Sequence, residues 1–414
     1  MLDFSDLPYR YFPPRHSPLI ACVVRWYNRL RHLPRVLRVM SIQVSGIEAL
    51  AAQRRRGDRL MLLPNHPTHA DAAIMLEAAN RASIKPQFMA PYDLFLRSRR
   101  SAFVMQRLGS FSVDREGSDQ RAMKQAMESL TRGRRALTIF PEGNVYLEND
   151  RVTPFHDGAA FLAIRTVKAI SLPQRVLVVP IAIKATYVTD VRPALTRLLN
   201  RIAQTLGGDL DKALSPLVAL RELGEIALRR NLKNRGIAFG DHDNLPALIE
   251  HAAECVLEPL EVKLELAPRS SDSLMDRVRG ARRLIHEVRT DPQRIADHAS
   301  AATWAGEAML VLRILSYSGR YVAESPTIDR IAETVEKLSE DLHRQSLPPI
   351  GPRRALVHLC TPLVVNEYLR KGSRTRDAVR TLTSDCESAV QHGIDQLNHS
   401  NTAFGSELWD TALA

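Results

Sequence analysis

The stretch LMLLPNHPTHAD, residues 60–71, decides the reading of this chain. A short apolar run, Leu60–Pro64, has the composition of a buried strand. Pro64 and Asn65 then break it, and His66 falls where the strand should end. Asp71 follows five positions later, at the start of a helical pattern. A turn running into a helix can fold Asp71 back towards the His66 imidazole. A carboxylate bonded to one ring nitrogen fixes the tautomer and makes the other nitrogen more basic. Such a pair suits a general base that takes a proton from a hydroxyl.

The spacing alone is weak. With 13 histidines and 24 aspartates in 414 residues, chance gives about one His-x4-Asp pair. Two occur, His66–Asp71 and His286–Asp291. The second lies late in an amphipathic helical stripe and reads as solvated surface. The first has different company. GSFSVDR (109–115), FPEGNVY (140–146) and VVPIAIKA (178–185) each set glycine, proline or charge beside an expected strand end. In an α/β domain such ends gather at one rim, where ligand sites form.

Around these blocks the pattern alternates. Residues 60–64, 87–90, 110–113, 136–140 and 176–183 read as short buried strands. Helical patterns over 72–82, 119–131 and 158–167 lie between them. This predicts a layered α/β domain with a mostly parallel sheet. From about 195 to 348 helical periodicity takes over. Leu274, Val278, Ala281, Ile285 and Val288 make one stripe, and 304–317 is a more apolar segment. A helix opened by Ser325 and Pro326 carries Ile328, Ile331, Val335, Leu338 and Leu342 in a seam for another helix. After SLPPIGP (346–352) a strand pattern returns at 355–360, and a last helix runs from about 375 to 397.

The four blocks in order, with FHDGAAFLA (155–163) after the third, resemble the glycerolipid acyltransferases, the glycerol-3-phosphate and 1-acylglycerol-3-phosphate acyltransferase superfamily. The resemblance covers about residues 40–190. It implies a layered αβα acyltransferase-like domain. It also implies direct transfer of a fatty acyl group from a thioester, acyl-CoA or acyl carrier protein, to a hydroxyl of a glycerol-phosphate or lysophospholipid acceptor in phospholipid synthesis. His66 would be the base and Asp71 its orienting partner. Asp114, Arg115, Phe140, Pro141, Glu142 and Gly143 would line the acceptor site, and Pro180 would shape the acyl pocket. No cofactor and no metal are implied. The third block departs from the family, which usually continues FPEG with Thr and then Arg-Ser. Here Asn144, Val145 and Tyr146 follow. Arg115 remains as a cation for an acceptor phosphate, with Arg134, Arg135 or Lys184 as substitutes. His69 reads as a helix-start residue.

The end of the chain resembles the last strand and helix of the same family. The expected organisation is a basic amphipathic segment over 1–45, an acyltransferase core over 46–194 and a helical insertion over 195–348. The last strand and helix of the core follow over 349–400, then a tail over 401–414. The competing organisation is an independent C-terminal helical domain.

Charge and composition bound the function. Lys plus Arg number 57 against 46 Asp plus Glu, a net charge of +11. Residues 1–60 hold eleven arginines against four acidic residues, +7, which favours an anionic partner. Residues 18–33, PLIACVVRWYNRLRHL, read as an amphipathic helix ended or kinked by Pro34. It lies either in the interface of an anionic membrane or on the domain with a solvated basic face. The start, MLDFSDLPYR, lacks a signal-peptide pattern, and no apolar run reaches the ~18 residues of a spanning helix. The expected location is cytoplasmic and peripheral to the membrane. Cys22, Cys255, Cys360 and Cys386 form no CxxC pair, so neither a disulfide framework nor a zinc site is expected. Asp241-His242-Asp243 reads as turn and cap. There is no P-loop, GxGxxG, GxSxG or HExxH. Nucleic acid is disfavoured, since aromatics make up 6% and no reader motif occurs. The alternatives to an acyltransferase are a non-catalytic lipid-binding member of the same fold and a thioesterase-like hydrolase.

Overall fold

The computed structural model describes the chain except residues 1–8, 56, 118, 172, 212, 238–243, 370–373 and 414. The DHD cluster at 241–243 therefore lies outside the described residues. The chain divides into two compact units. One comprises Tyr9–Thr189 and Gly351–Ser406, the other Asp190–Ile350 with the residues from Glu407 onward.

The first unit is an α/β layered fold. In chain order it contains α1 (Pro18–Tyr27), β1 (Val39–Ser45), α2 (Ile47–Gln53), β2 (Arg59–Pro64), α3 (Asp71–Arg81), β3 (Pro86–Pro91), α4 (Tyr92–Leu96), α5 (Arg99–Leu108), β4 (Phe111–Val113), α6 (Gln120–Arg132), β5 (Ala136–Thr138), α7 (Gly158–Ala169) and β6 (Val176–Tyr187). The second unit is helical among its described residues. It holds α8 (Arg192–Thr205), α9 (Pro216–Lys233), α10 (Leu245–Lys263), α11 (Leu274–Thr290), α12 (His298–Leu315), α13 (Tyr321–Glu324) and α14 (Ile328–His343). The chain then returns to the first unit with β7 (Arg353–Leu359), β8 (Leu363–Val364) and α15 (Thr375–Ser400).

The strand order is β1-β7-β6-β2-β5-β3-β4, with β8 also on β6. Every pairing is parallel except β6–β7 and β6–β8. All twelve residues of β6 are buried, as are five of the six in β2. Strands covered on both faces read as continuous apolar runs, which is why their sequence signal is plain. One face packs under α6, α7 and α15 through Ala126, Leu130, Leu162, Ala182, Val390 and Ile394. The other packs under α3 through Leu62, Ile74, Met75, Val179 and Val357.

Several elements differ from the sequence expectation. β1 falls within the basic segment that was read as ending at 45. It is an edge strand, and its outer residues Met40, Ser41 and Gln43 are exposed. Its one partner in the sheet, β7, is some 300 residues away, so no local pattern announces it. Helices α4 and α5 carry no strong sequence signal: α4 is five residues long, and no residue of α5 is fully buried. β5 ends at Thr138, which takes Phe140 off the strand and into the loop. Pro34 does not end the first helix. After Tyr27 the chain continues as π-helical turns over Asn28–Val36, closed by a Leu37 N–H bond to His32 O of 2.9 Å. The wider turn accommodates the proline. The helix read as starting at Ser325 is capped by Thr327, whose side chain accepts from Arg330 N–H. The stripe residues Val278, Ala281, Ile285 and Val288 on α11, and Ile328, Ile331, Val335 and Leu338 on α14, are buried. Residues 401–406, read as tail, belong to the first unit, while Thr327 and Leu408 bridge within the second.

The N-terminal residues reach the far edge of the sheet. Phe12 N–H donates to Ser112 Oγ at 2.7 Å, and Ser112 N–H donates back to Phe12 O at 3.1 Å. The Phe12 ring stacks on Phe95. This strap covers β4, a three-residue edge strand.

One turn is fixed sterically. Gly46 joins β1 to α2 at φ +79°, and a Cβ there would stand 2.0 Å from the carbonyl oxygen of Leu359. Both the left-handed backbone and the close approach require glycine. Gly46→Ala should cost about 2 kcal/mol or more. Urea unfolding of the two proteins would measure it, and equal midpoints would contradict the steric reading.

Candidate active site

The rim formed by the ends of β2 and β5 gathers most of the residues singled out above. β2 hands over to the site through Asn65. Its side-chain Nδ2 donates to Ile183 O at 3.0 Å, and its Oδ1 accepts from Ile183 N–H at 2.7 Å. A buried amide thereby continues the β2–β6 pairing for one more residue and fixes where His66 emerges.

His66 Nδ1 lies 2.8 Å from Asp71 Oδ2. Asp71 is the first residue of α3 and is fully buried. Thr68 supplies two more donors to the same carboxylate, its N–H to Oδ2 and its hydroxyl to Oδ1, each at 2.7 Å. With three donors and the N-terminus of α3, the carboxylate is compensated as an anion. It accepts the Nδ1 proton, so the Nε2 lone pair of His66 is left for an incoming proton. The imidazole is one-fifth exposed and stacks on Phe140, centroids 4.2 Å apart. Phe88 stacks behind Phe140. The ring is thus set in two directions, by the carboxylate and by an aromatic face.

Glu142 ties the third block to the first. Its Oε1 accepts the His66 N–H at 2.8 Å, and Thr153 donates to it through both backbone and side chain. Burial pushes this carboxyl up to about 8, against those hydrogen bonds, and the nearby Asp71 charge adds to the rise. Pro141 O accepts the His156 N–H at 2.9 Å, and Gly143 N–H closes the turn on Phe140 O at 3.1 Å. The loop that follows is anchored too. Asn149 exchanges two bonds with Ala185, and Phe155 N–H donates to Glu387 on α15 at 2.9 Å.

Arg115 reaches the third block. Its Nη1 donates to Gly143 O and to Asn144 Oδ1, both at 2.8 Å, and its Nη2 lies 3.8 Å from Asp93. Asn144, one of the residues at which this chain departs from the family, is therefore a partner of Arg115. Tyr146 is buried. Asp114 is buried as well, and its Oδ1 accepts from Glu116 N–H at 3.0 Å, so it shapes the turn that presents Arg115. Pro180 lies inside β6 opposite Leu63. Its carbonyl accepts from Cys360 N–H at 3.0 Å, where the pairing on that side passes from β8 to β7. A missing N–H costs no ladder bond at that changeover.

The substitutes for a second cation are placed elsewhere. Lys184 is buried against Asp150. Arg134 and Arg135 precede β5, at the opposite end of that strand from Phe140. His69 is exposed in the turn ahead of α3. The control pair differs as well. His286 is half-buried on α11, and Asp291 ends that helix, accepting from Gln293 N–H. Asn65 and Thr68 carry no site role in the sequence reading, Asn144 enters it only as a departure, and Asp93, Thr153 and His156 do not enter it as site residues. Asn65 and Thr68 lie inside the stretch 60–71.

The chain has two matches among known proteins. Residues 41–184 match the family model described as Acyltransferase. That segment is an acyltransferase-family domain, and it contains every residue proposed for the site. A solved structure similar to the chain is the 1-acyl-sn-glycerophosphate (LPA) acyltransferase PlsC from Thermotoga maritima, 18% identical, with a TM-score of 0.30. The match covers 39% of this chain and 57% of that one, so the chain spans less than two thirds of PlsC. None of the curated proteins compared matches the chain.

Glu142 makes a stability prediction. Its folded-state value, about 8, lies above its ordinary 4.5. Between these values the folded chain holds a proton that the unfolded chain has lost. Stability should therefore fall as pH rises from about 4.5 to 8, by on the order of a few kcal/mol. Glu142→Gln should flatten that part of the curve. Denaturant midpoints across the range would check this, and an unchanged slope would assign the loss to other groups.

Proposed function

We propose that the first unit is a membrane-surface O-acyltransferase that uses His66 as its general base. The donor is an acyl thioester, acyl-CoA or acyl carrier protein. The acceptor is a hydroxyl of a glycerol phosphate or lysophospholipid, and the product belongs to phospholipid synthesis. The observation that carries the reading is the 2.8 Å bond between His66 and a fully buried Asp71, inside the acyltransferase-family segment.

The chemistry follows from the ring's orientation. Nε2 takes the proton of the acceptor hydroxyl as its oxygen attacks the thioester carbonyl. The tetrahedral intermediate collapses with loss of the thiolate, and the imidazolium returns its proton to that sulfur. The acyl group passes directly between substrates, so no covalent enzyme intermediate is needed. Arg115 recognises the anionic part of the acceptor.

One feature supports a membrane surface. Among the described residues no helix is long and apolar enough to cross a bilayer, but the apolar side of α1 and its continuation points outward. Leu19, Val23, Trp26 and Leu30 are 74%, 58%, 66% and 51% exposed, while Ala21, Asn28 and Leu33 are the buried positions. Arg25, Arg29 and Arg31 flank this face. An outward apolar stripe edged by arginine fits the interface of anionic lipid.

His66→Ala should lower acyl transfer at least ~10²-fold, the low end of general-base contributions. Asp71→Ala should also be severely impaired. His286→Ala should stay near the wild-type rate, with all variants unfolding alike. Lipid mass spectrometry with and without an alcohol acceptor separates transfer from hydrolysis. Wild-type transfer by folded His66→Ala would overturn the mechanism. The membrane reading is tested by substitution, because removing residues 1–40 would also remove the strap on β4 and part of β1. Leu19→Glu with Trp26→Glu should abolish most co-sedimentation with anionic vesicles, and salt should weaken the wild-type binding. Equal binding by both proteins would reject the interfacial role.

A further inference from the structure

Basic side chains gather at the end of α5, away from the candidate active site. Arg15 N–H donates to Gln106 O at 2.9 Å and Ser17 N–H to Arg107 O at 3.0 Å. His16, between them, is therefore pinned against the last turn of α5. Gly109 closes that helix at φ +94°. A Cβ on Gly109 would have His16 Cδ2 at 3.7 Å and Arg135 Cζ at 3.8 Å, so the imidazole and the guanidinium converge on one point. Arg25 of α1 acts electrostatically on both, and Lys85, just ahead of β3, acts on His16. Burial first, then the charges of Arg135, Arg25 and Lys85, hold the imidazole below its usual value, and burial and Arg25 lower Arg135. Among the described residues, none of the four is ion-paired with a carboxylate. Arg135 Nη1 reaches Pro86 O at 3.4 Å, and its other donors have no partner among those residues.

We propose that His16, Arg25, Lys85 and Arg135 form a binding site for the phosphate of an anionic phospholipid, beside the outward apolar face of α1. The proposal rests on the membrane-surface reading above and names the headgroup group that this surface takes. Like charges held together, two of them partly buried, carry a repulsion that an anion relieves. Arg135 is the anchor, because its planar fork offers a phosphate two parallel N–H donors. His16 and Lys85 are exposed, so the cluster opens to solvent. Its position suits a lipid rather than a soluble phosphate. Leu19, three residues after His16, is the most exposed apolar residue on the α1 face, and Arg25 directly precedes Trp26. Apolar residues that enter an interface bring headgroup phosphates to the level of the basic side chains beside them. Helix α5 adds an exposed ring one turn before Arg107: Phe103, over which the Arg107 guanidinium lies at 5.1 Å. Arg135 precedes β5, at the opposite end of that strand from Phe140, so this cluster is separate from the groups around His66.

The test is flotation of the full-length protein with vesicles of phosphatidylcholine, alone or mixed with phosphatidylglycerol, at one ionic strength. Arg135→Gln should raise the lipid concentration for half-binding to the mixed vesicles about tenfold, the loss expected for a charge-assisted contact. His16→Gln combined with Lys85→Gln, both at exposed positions, should shift it in the same direction and decides the matter if the Arg135 variant does not fold. Arg134→Gln removes the same charge one residue away, where the side chain is exposed, and should shift binding less than about twofold. Unfolding midpoints establish that each variant is folded. Equal shifts for Arg134→Gln and Arg135→Gln would overturn the proposal, because the surface would then respond to net charge and not to a site. Unchanged binding by the folded site variants would overturn it too, and would leave the membrane-surface reading standing. A wild-type protein that binds neither vesicle overturns both. Isothermal titration of the wild type with inorganic phosphate should show no saturable binding. Saturable binding that Arg135→Gln removes would assign the cluster to a soluble phosphate and overturn the lipid assignment.

Discussion

The hydrogen bond from the His66 backbone to the buried Glu142 carboxyl holds the site together. One end belongs to the loop after β2, the other to the loop after β5. Neither loop has secondary structure at that point, so nothing in the sheet alone sets their separation. A buried acceptor left without its donor would cost about 1–3 kcal/mol, and this shared cost makes the two loops adopt one geometry. Everything else is arranged around it. Asn65 fixes the height at which the chain leaves β2, Thr68 and Asp71 fix the ring's rotation, and Phe140 closes the face of the ring. Asn149 and Phe155 anchor the downstream part of the Glu142 loop to β6 and α15.

Much of this was legible in the sequence, for a physical reason. β2 and β6 are buried on both faces, so they read as unbroken apolar runs. The break after β2 marks the rim, and His66 and Asp71 follow it. The helical stripes on α11 and α14 were equally plain, because their buried positions repeat at helical spacing. β1 was not legible. It is half exposed, it lies among arginines, and its stabilising partner comes some 300 residues later. Helix α5 is hard to see for another reason, since its face against Phe12 and Phe95 is only half-buried, through Ala102 and Met105.

The site showed the same division. His66, Asp71, Arg115 and Glu142 stand in motifs and could be named. Their supporting partners could not. Asn144 looked like a departure from a pattern, yet its amide oxygen receives Arg115. His156 lies thirteen positions beyond Gly143, and its N–H bond to Pro141 O helps to set its ring against that glycine. Lys184 and Arg135 carried charge of the right sign in the sequence. One is paired with Asp150 and the other precedes the far end of its strand. Charge can be counted in a sequence, but the direction it faces cannot.

The place of β7 in the sheet sets a timetable for the ribosome. β1 pairs in the sheet with β7 alone, and β7 lies between β1 and β6. About 300 residues separate β1 from β7, and at usual synthesis rates they take roughly 15–60 s to appear. Throughout that interval the edge of β6 that β7 will cover, Ile181–Tyr187, carries unpaired backbone groups on a largely apolar segment. Such an edge is the kind that recruits other chains. The nascent protein therefore makes His66 and the Glu142 loop early, yet remains an open sheet until β7 emerges. Slow translation or a shortage of chaperone during that interval would lower the yield of folded protein through aggregation, with no change in the stability of the finished molecule.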